Sequence, residues 1–104
     1  MWKWFSAPVA SKYDRAVARY RQAPTVTGVI HGTKTVLLDS RSEQFFSLDE
    51  TGQYIWSLLA IPRNRGEIVA ELRQQFAVPE HEIVDDVDAF MASLEHTRLV
   101  EKVR

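Results

Sequence analysis

The segment over residues 36–59 constrains the fold more than any other part of this 104-residue chain. It contains two short, largely apolar runs, residues 36–38 and 44–48, joined by the polar residues 39–43. Such runs separated by a few turn-forming residues predict two antiparallel strands. Asp49 follows the second run directly and is a good N-cap for the helical pattern after it. The segment therefore predicts strand, turn, strand and capped helix without a loop between them.

A third strand is expected before this segment. Residues 25–31 are rich in β-branched side chains, and the turn signal of residues 32–34 leads into the next run. Short connections between successive strands favour an antiparallel meander. Alternation in the strand over residues 44–48 places Phe46 and Leu48 on one face and Phe45 and Ser47 on the other. Phe45 is then either a packing residue of the second face or an exposed contact.

Three helices are predicted after the meander. Apolar residues spaced by three and four follow Asp49, and a Pro-containing turn ends that helix. Asn64 and Glu67 have the spacing of a capping box at the start of a second helix. A third helix is expected over about residues 79–96, and residues 99–103 have the pattern of a final strand. We predict an α+β, winged helix-turn-helix-like domain, with an N-terminal three-stranded antiparallel sheet followed by three helices.

The first 24 residues differ from the rest in charge. They contain five basic residues against one acidic residue, whereas residues 79–95 contain six acids and no Lys or Arg. Apolar residues at helical spacing over residues 9–22 predict an amphipathic helix. We therefore divide the chain into a basic, aromatic N-terminal segment, residues 1–24, and a folded domain, residues 25–104.

The sequence contains no plausible catalytic or metal-binding set. Without cysteine there is no thiolate nucleophile and no Cys-based zinc site. His31, His81 and His96 are scattered without ligand spacing, and no Gly-rich phosphate loop occurs. No apolar run approaches the roughly 18 residues of a membrane span, and no signal-peptide pattern is present. We expect a cytoplasmic protein that is not an enzyme, uses no cofactor or metal and has no membrane partner.

Binding to DNA is the main alternative, because helix-turn-helix domains usually read DNA. The acidic third helix would meet a polyanion with carboxylates, which argues against its entry into a groove. A winged-helix regulator that contacts DNA through the basic N-terminal segment stays open as the second interpretation.

At this point the ordered pattern of residues 26–103 resembles the PqqD family of peptide-recognition domains. The matching positions are residues 36–39, 46–49, Thr51, Gly52, Ile55, Trp56, Leu58, Leu59, 67–69, Leu72, Asp86, Val87, Phe90, Leu94 and 99–101. The sequence departs from the family in having Asp49 where Asn is frequent and Ser42-Glu43 where a turn Gly is usual. The N-terminal 25 residues fall outside the common pattern.

The resemblance implies a domain that binds the leader segment of a ribosomally made precursor peptide. The leader would add a strand to the third strand of the meander, beside the third helix. The domain would then present the peptide to a modifying enzyme, either a leader protease with its cyclase or a radical S-adenosylmethionine enzyme, in lasso-peptide or PQQ biosynthesis. Nucleic acid is no partner in this interpretation.

The predicted peptide-binding residues lie on the third strand and the third helix. They are Gln44, Phe45, Phe46, Ser47, Val84, Asp85, Val87, Asp88, Met91 and Glu95. An edge strand can accept a peptide strand through its unpaired backbone groups. Val84 and Met91 would meet apolar leader side chains, and Asp85 or Asp88 a basic one. The alternative, that Val84 and Met91 only widen the core face, stays open.

Overall fold

The structure, a computed structural model, describes residues 17–103 of the chain. Within that range four strands precede three helices, and a fifth strand follows them. The elements are β1 Arg19–Gln22, β2 Val26–His31, β3 Lys34–Asp39, β4 Gln44–Leu48, α1 Glu50–Leu58, α2 Arg65–Gln75, α3 Glu80–His96 and β5 Val100–Val103. The predicted α+β class is confirmed, with the meander before the three helices.

The strands form two antiparallel sheets, not one. β2, β3 and β4 make the predicted three-stranded meander, whereas β1 pairs with β5 in a separate two-stranded ribbon. The helix predicted over residues 9–22 is therefore wrong at Arg19–Gln22, and residues 9–16 lie outside the described part. The comparison with a winged helix-turn-helix is not confirmed by this arrangement. β1, which falls in the predicted N-terminal segment, belongs to the same fold as the rest of the domain; the division at residue 24 stays a prediction.

Side chains of the meander alternate between the helices and solvent. In β3, Thr35, Leu37 and Asp39 are buried, whereas Val36 and Leu38 are each 37% exposed on the outer face. Strand alternation explains this, because the inner face packs against α1 and the outer face has no layer over it among the described residues.

Asp39 fixes the turn between β3 and β4. Its buried carboxylate accepts hydrogen bonds from Thr25 Oγ1, Arg41 N–H, Arg41 Nη2 and Ser42 Oγ, at 3.0–3.1 Å. Burial opposes ionisation, but these hydrogen bonds and the positive charge of Arg41 outweigh it and hold the pKa of Asp39 below its usual value. Glu43, in the same turn, adopts a left-handed conformation with φ of 61°. The family's usual glycine at this turn would take that conformation without steric cost.

The phase of the hydrogen bonds leaves backbone groups of β4 unpaired. The N–H of Ser40 donates to the C=O of Thr25 at 3.0 Å, and these residues are opposite by extension of the β2–β3 register. Because bonded and non-bonded pairs alternate, even-numbered residues of β3 bond to β2 and odd-numbered residues bond to β4. The N–H and C=O groups of Phe45 and Ser47 therefore point away from the sheet.

Both predicted caps form. Asp49 accepts from the Gly52 N–H at 2.8 Å and begins α1. Asn64 accepts from the Glu67 N–H at 2.8 Å, while the Glu67 carboxylate accepts from the Asn64 N–H at 3.0 Å. These reciprocal bonds satisfy donors that the start of α2 would otherwise leave unpaired.

The core lies between the inner face of the meander and the helices. α3 contributes a buried stripe spaced by three and four, which consists of Ile83, Val87, Met91 and Leu94. α1 contributes Ile55 and Trp56, and β3 contributes Leu37. Within residues 17–103, no helix is both long enough and apolar enough to cross a membrane.

Candidate functional site

β4 is an edge strand with an unusual exposed aromatic side chain. It pairs with β3 on one side and with no other described strand. Phe45 is 70% exposed on the outer face, opposite Leu38, and Gln44 and Ser47 are also exposed. Phe46 faces inward and packs against the core. The predicted exposure of the strand is confirmed, and Phe45 is an exposed contact rather than a packing residue.

A cavity opens where the end of β4 meets α1 and α3. Its volume is about 440 Å³. We refer to it as the β4 groove, and its described lining consists of Asp49, Thr51, Gly52, Ile55, Asp86, Ala89 and Phe90. Asp86, Ala89 and Phe90 stand at helical positions i, i+3 and i+4, so they share one face of α3. The groove therefore combines an apolar floor with acidic side chains at its rim.

Gly52 allows α1 to approach α3 closely enough to form this groove. A Cβ at position 52 would lie 3.3 Å from Phe90 Cε1 and 3.3 Å from Leu48 Cβ. Those distances are tighter than ordinary van der Waals contact, so a larger residue would displace the Phe90 ring. The Asp49 cap on the same turn fixes where α1 starts. The sequence Asp49-Glu50-Thr51-Gly52 thus sets the width of the groove.

Two of the predicted contact residues on α3 are unavailable to a ligand. Val87 and Met91 each have 0% exposure and belong to the core. The second interpretation of Met91, as part of a widened core face, is the one that matches the structure. Direct contact of either side chain with a bound peptide is wrong for this conformation. Val84 is half-buried and Asp85 is exposed.

Asp88 and Glu95 face α2, on the side of α3 away from the β4 groove. Arg65 of α2 donates to Asp88 Oδ1 at 3.0 Å and to Glu95 Oε2 at 2.7 Å. The hydroxyl of Tyr20 also donates to Glu95, at 3.2 Å. Because the Arg65 side chain is 11% exposed, these carboxylates compensate a largely buried charge. Their first role is to join α2 and β1 to α3.

The sequence analysis missed the groove residues Asp49, Thr51, Gly52, Ile55, Asp86, Ala89 and Phe90 as a set. Most of them were among the positions that match the family, which was the available signal. Periodicity correctly identified the buried stripe of α3. It could not show which flank of that stripe faces α1 and which faces α2, since both flanks carry acids. The candidate site is therefore the open edge of β4 with the Asp86 flank of α3.

The described basic residues do not form a surface for DNA. Arg19 pairs with Glu67 at 2.8 Å and Arg21 with Glu101 at 2.6 Å, both across β1. Hydrogen bonds from the Asn64 N–H and then from Arg19 hold the pKa of Glu67 below its usual value, so that carboxylate stays ionised beside the arginine. These two arginines of the basic segment are neutralised locally. The other basic residues of that segment precede residue 17 and lie outside the described part.

A metal or catalytic centre is not assembled in the described part of the chain. Among residues 17–103, no three His, Asp or Glu side chains are grouped as potential ligands. The arrangement instead offers backbone donors and acceptors along one strand, next to a groove for side chains.

Comparison with known proteins adds a family and two related folds. The family model described as coenzyme PQQ synthesis protein D (PqqD) matches residues 34–100. The solved structure of TbiB1 in complex with the TbiA(beta) leader peptide is similar at 26% identity and a TM-score of 0.73, over 81% of this chain and 98% of that one. A lasso peptide synthetase B1 complexed with its leader peptide is similar in fold, at 22% identity and a TM-score of 0.69, over 79% of this chain and 96% of that one. No curated protein matches the sequence.

Proposed function

Because this chain belongs to the PqqD family, we propose that it binds the leader segment of a ribosomally made precursor peptide and presents it to a modifying enzyme. The chain acts as a binding module and not as a catalyst. The leader adds as an antiparallel or parallel strand to the open edge of β4, and its side chains enter the β4 groove.

The observation that carries this proposal is the open edge of β4 beside that groove. The N–H and C=O groups of Phe45 and Ser47 point outward, so an extended peptide satisfies them and forms a fourth strand of the sheet. Backbone pairing supplies affinity that depends little on leader sequence. Selectivity then comes from the alternate side chains that face α3.

The groove defines the leader side chains that fit best. Ile55, Ala89 and Phe90 form an apolar wall, which favours an aliphatic or aromatic side chain. Asp49 and Asp86 line the same space. Of these, Asp86 is the better partner for a basic leader residue, since Asp49 already accepts the Gly52 N–H at 2.8 Å. We expect a leader motif with an apolar residue followed or preceded by Lys or Arg on the same face.

Two comparisons favour a lasso-peptide pathway over quinone biosynthesis. Both similar solved structures are B1-type proteins bound to leader peptides, and one is described as a lasso peptide synthetase component. In this proposal the recipient of the peptide is a leader protease that acts with a cyclase. The predicted cytoplasmic location stays a prediction.

A direct test measures binding of the leader encoded by the neighbouring precursor gene. Fluorescence anisotropy with the labelled leader should give a Kd in the micromolar range or tighter, which corresponds to about −8 kcal/mol or better. A scrambled leader of the same composition is the control for non-specific charge attraction. Equal affinity for both peptides, or none for the leader, would refute the proposed function.

A further inference from the structure

The opposite edge of the meander is also open, and its cavity has different chemistry. β2 pairs with β3 and with no other described strand. By the same hydrogen-bond phase, Gly28 and Ile30 direct their N–H and C=O groups away from the sheet. Ile30 is 68% exposed although its position in the register places it on the inner face, opposite the buried Thr35. Long, exposed, apolar edge strands are normally protected in soluble proteins, so this edge needs an occupant.

A cavity of about 760 Å³ lies beneath this edge, between β2 and α1. We refer to it as the β2 cavity. Its aromatic wall includes Tyr54 and Phe76, whose rings meet edge to face at 5.8 Å between centroids. Gly28 opens the cavity toward Trp56, whose Nε1 lies 3.4 Å from where a Cβ at position 28 would stand. An apolar or aromatic side chain pointing inward from an added strand therefore meets an aromatic surface.

The cavity also contains an unsatisfied buried hydroxyl. Thr35 lines it, is 2% exposed and has no hydrogen-bond partner for its Oγ1. Burying a hydroxyl without a partner is unfavourable, and a ligand that bonds to it removes that penalty. Thr35 thus marks the cavity as a site for a group that carries a hydrogen-bond donor or acceptor.

Charge separates this site from the β4 groove. Among its described lining residues, Glu50 is the one charged side chain, and no Lys or Arg is present. The β4 groove, by contrast, is lined by Asp49 and Asp86. An uncharged peptide segment fits the β2 cavity, whereas a segment with a basic residue fits the β4 groove.

We propose that the β2 edge is a second peptide-binding site, which takes an extended, uncharged segment of the same precursor peptide whose leader binds at β4. This inference rests on the proposed function. The site offers two residues of open backbone and one cavity, which suits a short peptide rather than a standard protein interface of about 800 Å² per partner. Such a short contact is weak by itself, but attachment to the bound leader raises its effective concentration to about the millimolar range.

The distance between the two edges sets a minimum length for the connecting peptide. Neighbouring strands are about 4.8 Å apart, so strands added outside β2 and β4 would be separated by about 19 Å. An extended chain spans at most about 3.6 Å per residue, so the two bound segments must be joined by at least about six residues.

The test compares two lengths of the precursor peptide encoded beside this protein: the leader alone, and the leader with the residues that follow it. The longer peptide should bind the wild-type protein about tenfold more tightly, because the second contact is intramolecular. Ile30→Pro, which removes an outward N–H, and Thr35→Val, which removes the hydroxyl, should each lower the longer peptide's affinity toward that of the leader. Neither should change the affinity of the leader. Thr35→Val keeps the side-chain shape and removes an unsatisfied polar group, so it also guards against misfolding as an explanation. Val29→Thr, on the outer face of the same strand, is the matched control.

A second measurement separates failure of this inference from failure of the proposed function. The following segment, added alone at millimolar concentration, should shift the amide NMR signals of Gly28 and Ile30 but not those of Phe45 and Ser47. If the leader binds but the longer peptide binds no more tightly, or if its gain survives Ile30→Pro, the second site is refuted. If the leader does not bind while the segment still shifts Gly28 and Ile30, the proposed function fails and the β2 site stands.

Discussion

Replacing Ser47 by proline removes one outward backbone donor from β4 and leaves its ladder with β3 intact. The β3–β4 register pairs Ser47 with Val36, whose own N–H and C=O are directed toward β2. The Ser47 N–H therefore has no partner in the sheet, and proline is tolerated at such edge positions. We expect the free energy of unfolding to change by less than about 1 kcal/mol.

The expected loss of leader affinity is much larger. One backbone hydrogen bond contributes about 1 kcal/mol net, and the leader carbonyl left without a donor costs a further 1–2 kcal/mol or so. The sum of about 2–3 kcal/mol corresponds to a Kd that is roughly 30- to 100-fold weaker. The assay is isothermal titration of the leader into wild type and Ser47→Pro, with urea unfolding of both proteins.

Ser47→Ala is the matched control, because it removes the exposed hydroxyl and keeps the N–H. Its leader affinity should equal that of the wild type. If Ser47→Pro binds the leader as tightly as Ser47→Ala does, the leader does not pair with the edge of β4, and the reasoning from the hydrogen-bond phase is refuted.

Four further outcomes test the turn, the groove and its charge. Glu43→Gly should raise the free energy of unfolding by about 0.5–1 kcal/mol in urea titrations, because φ of 61° is unfavourable for Glu; no gain would mean that the turn stores no strain. Gly52→Ala should weaken leader binding about tenfold in anisotropy assays by pushing an aromatic ring into the β4 groove, and unchanged affinity would separate the groove from binding. The lowered pKa of Asp39 stabilises the fold above the unfolded-state pKa of about 4, and that contribution is lost as pH falls through the folded pKa; acid titration of stability should therefore be shallower for Asp39→Asn, and identical slopes would contradict this. Asp86→Asn should weaken binding of a leader with a basic residue several-fold and reduce its salt dependence, whereas Asp85→Asn should not; equal effects would show that the charge acts at long range and not in the groove.

Local signals in the sequence predicted the elements that depend on neighbouring residues. The strand Gln44–Leu48, the Asp49 cap and the Asn64–Glu67 capping box all arise from residues within a few positions of one another, and the structure contains each of them. The buried stripe of α3 was likewise visible as a spacing of three and four. Such features are decided by short-range geometry, which a single sequence displays.

The elements that depend on distant partners were not visible in the same way. Arg19–Gln22 looked helical by spacing, but it pairs with Val100–Val103 near the other end of the chain. The ion pair of Arg21 and Glu101 spans that pairing, at 2.6 Å. Similarly, both flanks of α3 carry acids, and only the placement of α1 and α2 shows that Asp88 meets Arg65 while Asp86 faces the β4 groove. Tertiary contacts overrode local pattern in both cases.

Amide hydrogen exchange at Phe45 and Ser47 tests the central claim most directly. In the free protein these two N–H groups point away from the sheet and should exchange quickly, whereas the Phe46 N–H, directed toward β3, should be protected. Saturation with the leader peptide should slow exchange at Phe45 and Ser47 by at least about tenfold and leave Phe46 little changed. A leader that binds tightly without protecting Phe45 and Ser47 would contradict strand addition at β4.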